Sequence, residues 1–139
     1  MMLIPDQGKI RSVEEVYRSS GAREPFLLSL FTAPQAAGNL LTYWDYTLAS
    51  GGGLDPLSIA RSSFEPAVIV GEVAQLLRLP PPSWTKTSGA PVTVYGWILS
   101  GETSQIVYAA QTFVVPHEFV VGATLTLSPF KIDCAQITD

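Results

Sequence analysis

His117 is the single histidine of the chain, and it stands between Pro116 and Glu118. An imidazole beside a carboxylate can act as a general base or as a metal ligand. A zinc site needs further Cys or His ligands, and Cys134 is the only cysteine. The pattern therefore favours His117 as a turn residue and Cys134 as a structural thiol, with no metal and no cofactor expected.

The carboxylates of the chain are scattered and form no alternating acidic run of the kind that builds a calcium loop. Cleavage of a glycosidic bond needs only two carboxylates that meet in space. A small hydrolase acting through such a pair stays open as a distant alternative, although we expect no catalytic residue and no enzyme activity. The carboxylates in question are Asp45, Asp55, Glu65, Glu72, Glu102 and Glu118.

Residues 51–53 are three consecutive glycines, and Asp55 and Pro56 follow them. This composition predicts a mobile loop or a tight corner of the chain. A phosphate-binding loop needs spaced glycines after a strand, a lysine and a following helix. Here a proline follows and no lysine lies nearby in the sequence, so phosphate binding is not expected.

Aromatic residues provide the best candidate contact surface. Tyr43, Trp44 and Tyr46 lie close together in the sequence, and aromatic rings with a polar tip are favoured at protein interfaces and sugar-binding platforms. The competing interpretation is that they pack in the core. Trp84 follows three prolines and is expected to be exposed or packed against a neighbouring subunit, whereas Trp97 lies in an alternating apolar run that predicts a core position.

The elements that carry these residues are predicted to be short strands. Runs at 92–100 and 104–113 predict a hairpin, and a third run at 120–128 ends before Pro129, which cannot donate to a ladder. Ser12 and Glu15 form a capping-box pattern that predicts a short helix ending near Gly21.

The remaining segments upstream are apolar and short. The run 25–32 predicts a central strand buried on both faces, and 67–73 and 75–79 predict two further strands. Residues 40–48 fit a strand or an aromatic loop, with the strand favoured. Many short runs between prolines and glycines are typical of an antiparallel β-sandwich or jelly roll, so the fold class is predicted to be all-β with one short N-terminal helix.

Composition limits the function. The chain has 139 residues, of which 47% are hydrophobic and only 14% charged, with a net charge of −4. A negative balance without a basic patch argues against nucleic-acid binding. The opening residues lack the pattern of a signal peptide and no apolar run is long enough to span a bilayer, so we expect neither membrane insertion nor secretion.

The charged residues are concentrated near the N-terminus, since residues 1–24 contain eight of them and the remaining 115 residues contain 12. We therefore expect two parts: an N-terminal arm with a short helix over 1–24 and a β-sandwich domain over 25–139. The domain is poor in charge, which suits a surface covered by other subunits as well as a neutral surface of Ser, Thr, Gln and Gly.

Three strand motifs carry a resemblance to a known group. In 94–99 a Tyr-Gly-aromatic step occurs, in 106–113 a strand ends in a polar residue before Phe113, and in 122–130 a Gly-x-Thr-Leu-x-Leu-x-Pro pattern closes the series. In this order the motifs resemble small structural proteins of tailed bacteriophages. The chain departs from that group at Gln111, where an acidic residue is usual.

This resemblance implies a β-sandwich or jelly-roll virion component. The leading expectation is a capsid decoration or cement protein, made in the host cytoplasm, that stabilises the head by bridging subunits of the major capsid protein. The alternative is a component of the tail, neck or head fibre with a receptor- or glycan-binding role. Its partners would be the major capsid protein or other virion proteins, with no nucleic acid and no membrane. It would also form a homo-oligomer, a dimer or trimer, because closed self-association is the common state.

Overall fold

The computed structural model describes residues 14–18, 24–35, 41–71, 73–78 and 80–135, with the main chain alone described at 133–135. Antiparallel β-structure dominates this part of the chain, and one short helical turn precedes it at 14–17. The all-β sandwich class with a short N-terminal helix is thus confirmed. The strands are β1 (Phe26–Phe31), β2 (Leu57–Ile59), β3 (Val68–Val70), β4 (Val73–Arg78), β5 (Ser83–Thr85), β6 (Val92–Gly101), β7 (Val107–Phe119), β8 (Thr124–Thr126) and β9 (Phe130–Ala135).

The described strands form three antiparallel sheets. Their orders are β2-β1-β6-β7, β3-β4-β9 and β5-β8. The chain divides into two compact units, the first comprising Met1–Arg23, Ala60–Pro82 and Leu127–Asp139, the second comprising Glu24–Ile59 and Ser83–Thr126. The three-stranded sheet belongs to the first unit, and the four-stranded and two-stranded sheets belong to the second unit.

The core of the second unit is built on β1 and β6, the two inner strands of the four-stranded sheet. Leu28 pairs with Leu99 in the register of this ladder, and both side chains are fully buried. Five of the six residues of β1 are buried, because a strand with neighbours on both edges and apolar side chains on both faces lies inside the protein. The prediction of a central buried strand is confirmed, and so is the core position of Trp97.

The predicted hairpin is formed by β6 and β7, but β7 continues beyond the predicted end. Residues 116–118, predicted as a turn, lie within this strand, so the prediction is wrong there. The register shifts between the pair Val94 and His117 and the pair Gly96 and Thr112, which leaves residues 113–116 opposite Tyr95 alone. This bulge accommodates Pro116 in a strand, since a residue without an N–H group is tolerated where the ladder is interrupted.

Two other strand predictions need correction. In the predicted strand 40–48 the described residues form a 3-10 turn at Tyr43–Asp45, because Asp45 Oδ2 accepts the main-chain N–H of Thr42 at 2.6 Å and favours a capped turn. The aromatic-loop interpretation is the correct one. In the run 120–128 the strand is limited to β8, since Gly122 adopts a φ of 93° and turns the chain.

In the first unit, β3 and β4 form a hairpin and β9 pairs with β4, which confirms both predicted short strands. Cys134 pairs through its main chain with Ala74 in this sheet. The side chain of Cys134 lies outside the description.

The helical turn at 14–17 contacts residues of the same unit. Tyr17 is buried against Phe64, with ring centroids 6.1 Å apart. Arg18 donates from Nε to the carbonyl oxygen of Phe64 at 3.0 Å, and buried Arg61 donates to the carbonyl oxygen of Val16. The predicted cap at Ser12 and the predicted stop at Gly21 lie outside the described residues. The division into an arm over 1–24 and a domain over 25–139 stays a prediction.

Candidate interaction surface

The outer strand β7 is the most exposed long element of the four-stranded sheet. It has 13 residues and pairs with β6 along one edge, while the described residues place no strand against its other edge. Val114 is fully exposed and the side chain of Val115 is 75% exposed, although both are apolar. Both lie in the bulge opposite Tyr95. The bulge therefore presents two adjacent valines to the outside.

Further exposed apolar residues flank this strand. Ile106 precedes β7, and Val120 and Val121 follow it, each about half exposed. Residues 103–117 contain no Asp, Glu, Lys or Arg. Glu118, which is exposed, separates this uncharged segment from Val120. Several exposed apolar side chains are a liability on a lone protein and are typical of an interface. We call Val114, Val115 and these three flanking residues the β7 surface.

The form of the bulge limits how a partner can bind. An exposed sheet edge can recruit a further strand, and prolines and bulges are devices that prevent this. Pro116 lacks an N–H group, and residues 113–116 lie out of the regular ladder. The bulge therefore disfavours extension of the sheet across this segment and leaves the two valine side chains as its exposed groups.

His117 lies in β7, where it is half-buried and packs edge-to-face against Phe119 with ring centroids 4.5 Å apart. Its Nε2 atom is buried and has no hydrogen-bond partner among the described residues. Glu118 is exposed, and consecutive strand residues point to opposite faces, so the two side chains do not form an acid–base pair. In the described part of the chain no three His, Cys, Asp or Glu side chains group as a metal site.

The predicted aromatic cluster divides into two parts. Trp44 is 77% exposed and packs edge-to-face against Tyr43, with ring centroids 5.1 Å apart. Tyr46 is half-buried and packs against Phe31 of β1 at 5.1 Å. The structure therefore brings Tyr43 and Trp44 together at the surface and directs Tyr46 inward.

Tyr46 lines a groove of about 340 Å³ that runs along β7. Burial, followed by the negative charge of Asp45, raises the pKa of the Tyr46 hydroxyl, so the group remains a neutral donor and acceptor. The groove combines apolar, aromatic and amide groups, a composition suited to a neutral polar ligand. Its lining includes Phe31, Gln35, Leu41, Tyr46, Tyr108 and Gln111.

Trp84 is 2% exposed, so the prediction of an exposed side chain or subunit contact is wrong. Its indole N–H donates to the main-chain carbonyl oxygen of Asp55 at 3.1 Å. The neighbouring Ser83 and Thr85 are exposed, which makes β5 an alternating strand with its aromatic residue inward. That polar-aromatic-polar alternation was the signal for burial, and the three prolines before it obscured it.

Several carboxylates named above have local hydrogen-bonding roles. Asp45 caps the 3-10 turn, Asp55 Oδ1 accepts the main-chain N–H of Gly51 at 2.7 Å, and Glu102 accepts the hydroxyl of Ser58 at 3.1 Å. These contacts stabilise turns and strand ends. The hypothesis of a hydrolytic carboxylate pair gains no geometric support from them.

Sequence reasoning did not identify the β7 surface. Its signal was the run Phe113-Val114-Val115, because consecutive apolar residues in a strand occupy both faces and require cover on both. Comparison with protein families, with curated proteins and with solved structures finds no match to this chain. Among the described residues, no helix is long and apolar enough to cross a membrane.

Proposed function

We propose that this protein is a structural component of a bacteriophage virion that decorates and cements the capsid. The observation that supports this proposal best is the β7 surface, a set of five exposed apolar residues, three of which lie in a segment without Asp, Glu, Lys or Arg. The strand motifs that resemble small phage structural proteins lie in the same part of the chain, from β6 to β9. Contact with other subunits would cover the β7 surface.

The mechanism is burial of neutral surface at a seam between capsid subunits. Removal of apolar area from water contributes about 25 cal/mol per Å², so several valines and an isoleucine give a useful but modest contact. Many copies on one shell, or a dimer or trimer that bridges neighbouring capsid subunits, convert modest contacts into strong retention. The occupant of the β7 surface is accordingly an apolar, uncharged patch on a major capsid subunit.

The test uses purified capsids that lack this protein and measures binding by co-sedimentation. Val114→Asp and Val115→Asp should each reduce retention about tenfold or more, because a carboxylate would be desolvated in the contact. Val68→Asp and Val70→Asp are matched controls, since these valines of β3 are also exposed, and they should bind like the wild type. The proposal would be contradicted if the wild-type protein does not bind such capsids, or if Val114→Asp and Val115→Asp bind as well as the wild type.

A receptor- or glycan-binding tail component is the second candidate. Its support is the exposed pair of Tyr43 and Trp44 together with the groove that Tyr46 lines. Aromatic faces stack on sugar rings, and amide side chains such as Gln35 and Gln111 supply hydrogen bonds. Binding on a glycan array that Trp44→Ala abolishes and Val68→Ala leaves intact would favour this candidate. The absence of any glycan or host-cell binding would remove it.

A further inference from the structure

Lys86 is a buried cation in the second unit. Its side chain is 3% exposed, and Nζ donates to the main-chain carbonyl oxygen of Ser88 at 2.8 Å. An ammonium group carries three N–H donors, so this bond uses one of them. Within the described ranges, no carboxylate lies within ion-pair distance of Nζ. A buried ammonium without a counter-charge is costly, which makes an anionic partner favourable.

The main chain of two glycines lies close to this ammonium. A Cβ atom built on Gly52 would lie 3.3 Å from Lys86 Nζ, and one built on Gly89 would lie 3.5 Å from it. The glycine run over residues 51–53 has positive φ at every position and forms the predicted tight corner. Phosphate binding was not expected there because Pro56 follows the glycines and because no lysine lies nearby in the sequence. The fold supplies one from a distant segment.

The same residues line a cavity of about 480 Å³. Lys86, Gly52, Ser88 and Gly89 belong to its wall. Much of the remaining wall is apolar, and Thr32, Ser50 and Ser88 also belong to the lining. The apolar members are Leu48, Ala49, Leu54, Ala90, Pro91 and Val92.

We propose that this cavity binds a carboxylate carried on a short aliphatic group, with the ammonium of Lys86 donating to the carboxylate oxygens. A single cation balances one negative charge, whereas a phosphate dianion would leave net charge against an apolar wall. The aliphatic part would lie on the apolar side of the cavity. This inference is independent of the proposed capsid role. The carboxylate could belong to a free small acid or to the chain terminus of a partner protein.

The experiment adds butyrate or butyramide stepwise to the full chain, and NMR monitors the lysine Cε–H₂ signals at each step. Butyrate should shift the Lys86 signal with saturation, and butyramide, which has the same shape without the charge, should not. Exposed Lys131 provides an internal control, because its signal should report only the general effect of salt. The variant Lys86→Met should weaken butyrate binding about tenfold or more, and the control Lys131→Met should not.

A second arm distinguishes the two sources of the carboxylate. The peptide acetyl-Ala-Ala-Val and its C-terminal amide are each added to the protein, and their binding is compared through the same lysine Cε–H₂ signals. Saturable binding of butyrate supports a free acid, and saturable binding of the acid peptide alone supports a protein terminus. Equal shifts with acid and amide forms, or shifts at Lys86 that only parallel those at Lys131, would overturn the proposal. If Lys86→Met does not fold, the comparison of acid with amide on the wild-type chain still decides.

Discussion

The indole N–H of Trp84 donates to the main-chain carbonyl oxygen of Asp55 across 3.1 Å, and this bond joins β5 to the chain that follows the glycine corner. Asp55 in turn accepts the N–H of Gly51 through Oδ1. Thr87, two residues after β5, donates its N–H to the carbonyl oxygen of Gly52 at 2.8 Å. These bonds together fix the corner beside Lys86. A buried tryptophan thus positions the wall of the proposed carboxylate cavity.

The first prediction concerns that tryptophan. Trp84→Phe removes a buried N–H donor and part of a buried ring, so the free energy of unfolding should fall by about 1–3 kcal/mol. Trp44→Phe is the matched control, because Trp44 is exposed, and its effect should stay within about 0.5 kcal/mol. Urea denaturation of both variants measures the difference. Equal effects at the two positions would show that Trp84 is not buried in solution.

The burial of Trp84 was not predicted, because it depends on a contact between distant segments of the chain. A short continuous apolar run predicted the β1 strand and an alternating run predicted the core position of Trp97, because in both cases an apolar pattern in one segment sufficed. The acceptor for Trp84 lies 29 residues away in the sequence. No local pattern identifies a partner at that separation, and the three prolines obscured the alternation of β5, so Trp84 was predicted to be exposed or packed against a neighbouring subunit.

The second prediction compares two glycines with nearly the same backbone. Gly52 has a φ of 60° and Gly71 has a φ of 64°, so an alanine at either position is strained by about 1–2 kcal/mol. A Cβ on Gly52 would also lie 2.6 Å from the carbonyl oxygen of Ser88, while Gly71 has open space. Gly52→Ala should therefore destabilise the protein more than Gly71→Ala. Thermal unfolding measures the stability of both variants. An equal loss of stability would contradict the close approach of Gly52 to the carbonyl oxygen of Ser88.

The third prediction tests the core against the β7 surface. Ile98 of β6 is fully buried, and Ile98→Val should cost about 0.5–1.5 kcal/mol of unfolding free energy. Ile106 is more than half exposed, and Ile106→Val should change that free energy by less than about 0.5 kcal/mol. Denaturant midpoints of the two variants provide the measurement. A large loss at Ile106 would mean that the isolated chain already covers this residue.

The run Phe113-Val114-Val115 signals a need for cover on both faces, but it does not show that these side chains are exposed, because their exposure depends on how β7 pairs with β6. The run before Pro116 is apolar, and apolar residues in a strand are normally interpreted as core. Their exposure follows from the bulge that leaves residues 113–116 opposite Tyr95, and the bulge is a property of two strands together. The hairpin itself was predictable, since its two runs are separated by turn residues.

The fourth prediction concerns Glu24, which stabilises the turn between β6 and β7. Its Oε2 accepts the main-chain N–H groups of Thr103 at 2.8 Å and Ser104 at 2.9 Å, and Oε1 accepts the Ser104 hydroxyl. Hydrogen bonds to a charged acceptor are stronger than neutral ones. Glu24→Ala should lower the free energy of unfolding by about 1–2 kcal/mol. Glu118→Ala, an exposed position in the same hairpin, is the control and should cost less than about 0.5 kcal/mol.

The last prediction follows from the environment of Tyr46. Burial first, and the charge of Asp45 second, raise the pKa of its hydroxyl above the ordinary value of 10.0. The neutral form is therefore favoured in the folded state, and its contribution to stability is complete below the unfolded pKa and is lost as the pH rises through the folded pKa. The stability of the wild type should consequently fall more steeply above about pH 10 than that of Tyr46→Phe. Tyrosine Cζ signals followed by NMR should show Tyr46 ionising above its ordinary pKa, and Asp45→Asn should shift its titration toward lower pH. A titration of Tyr46 at or below the ordinary value would contradict its inward position at the groove.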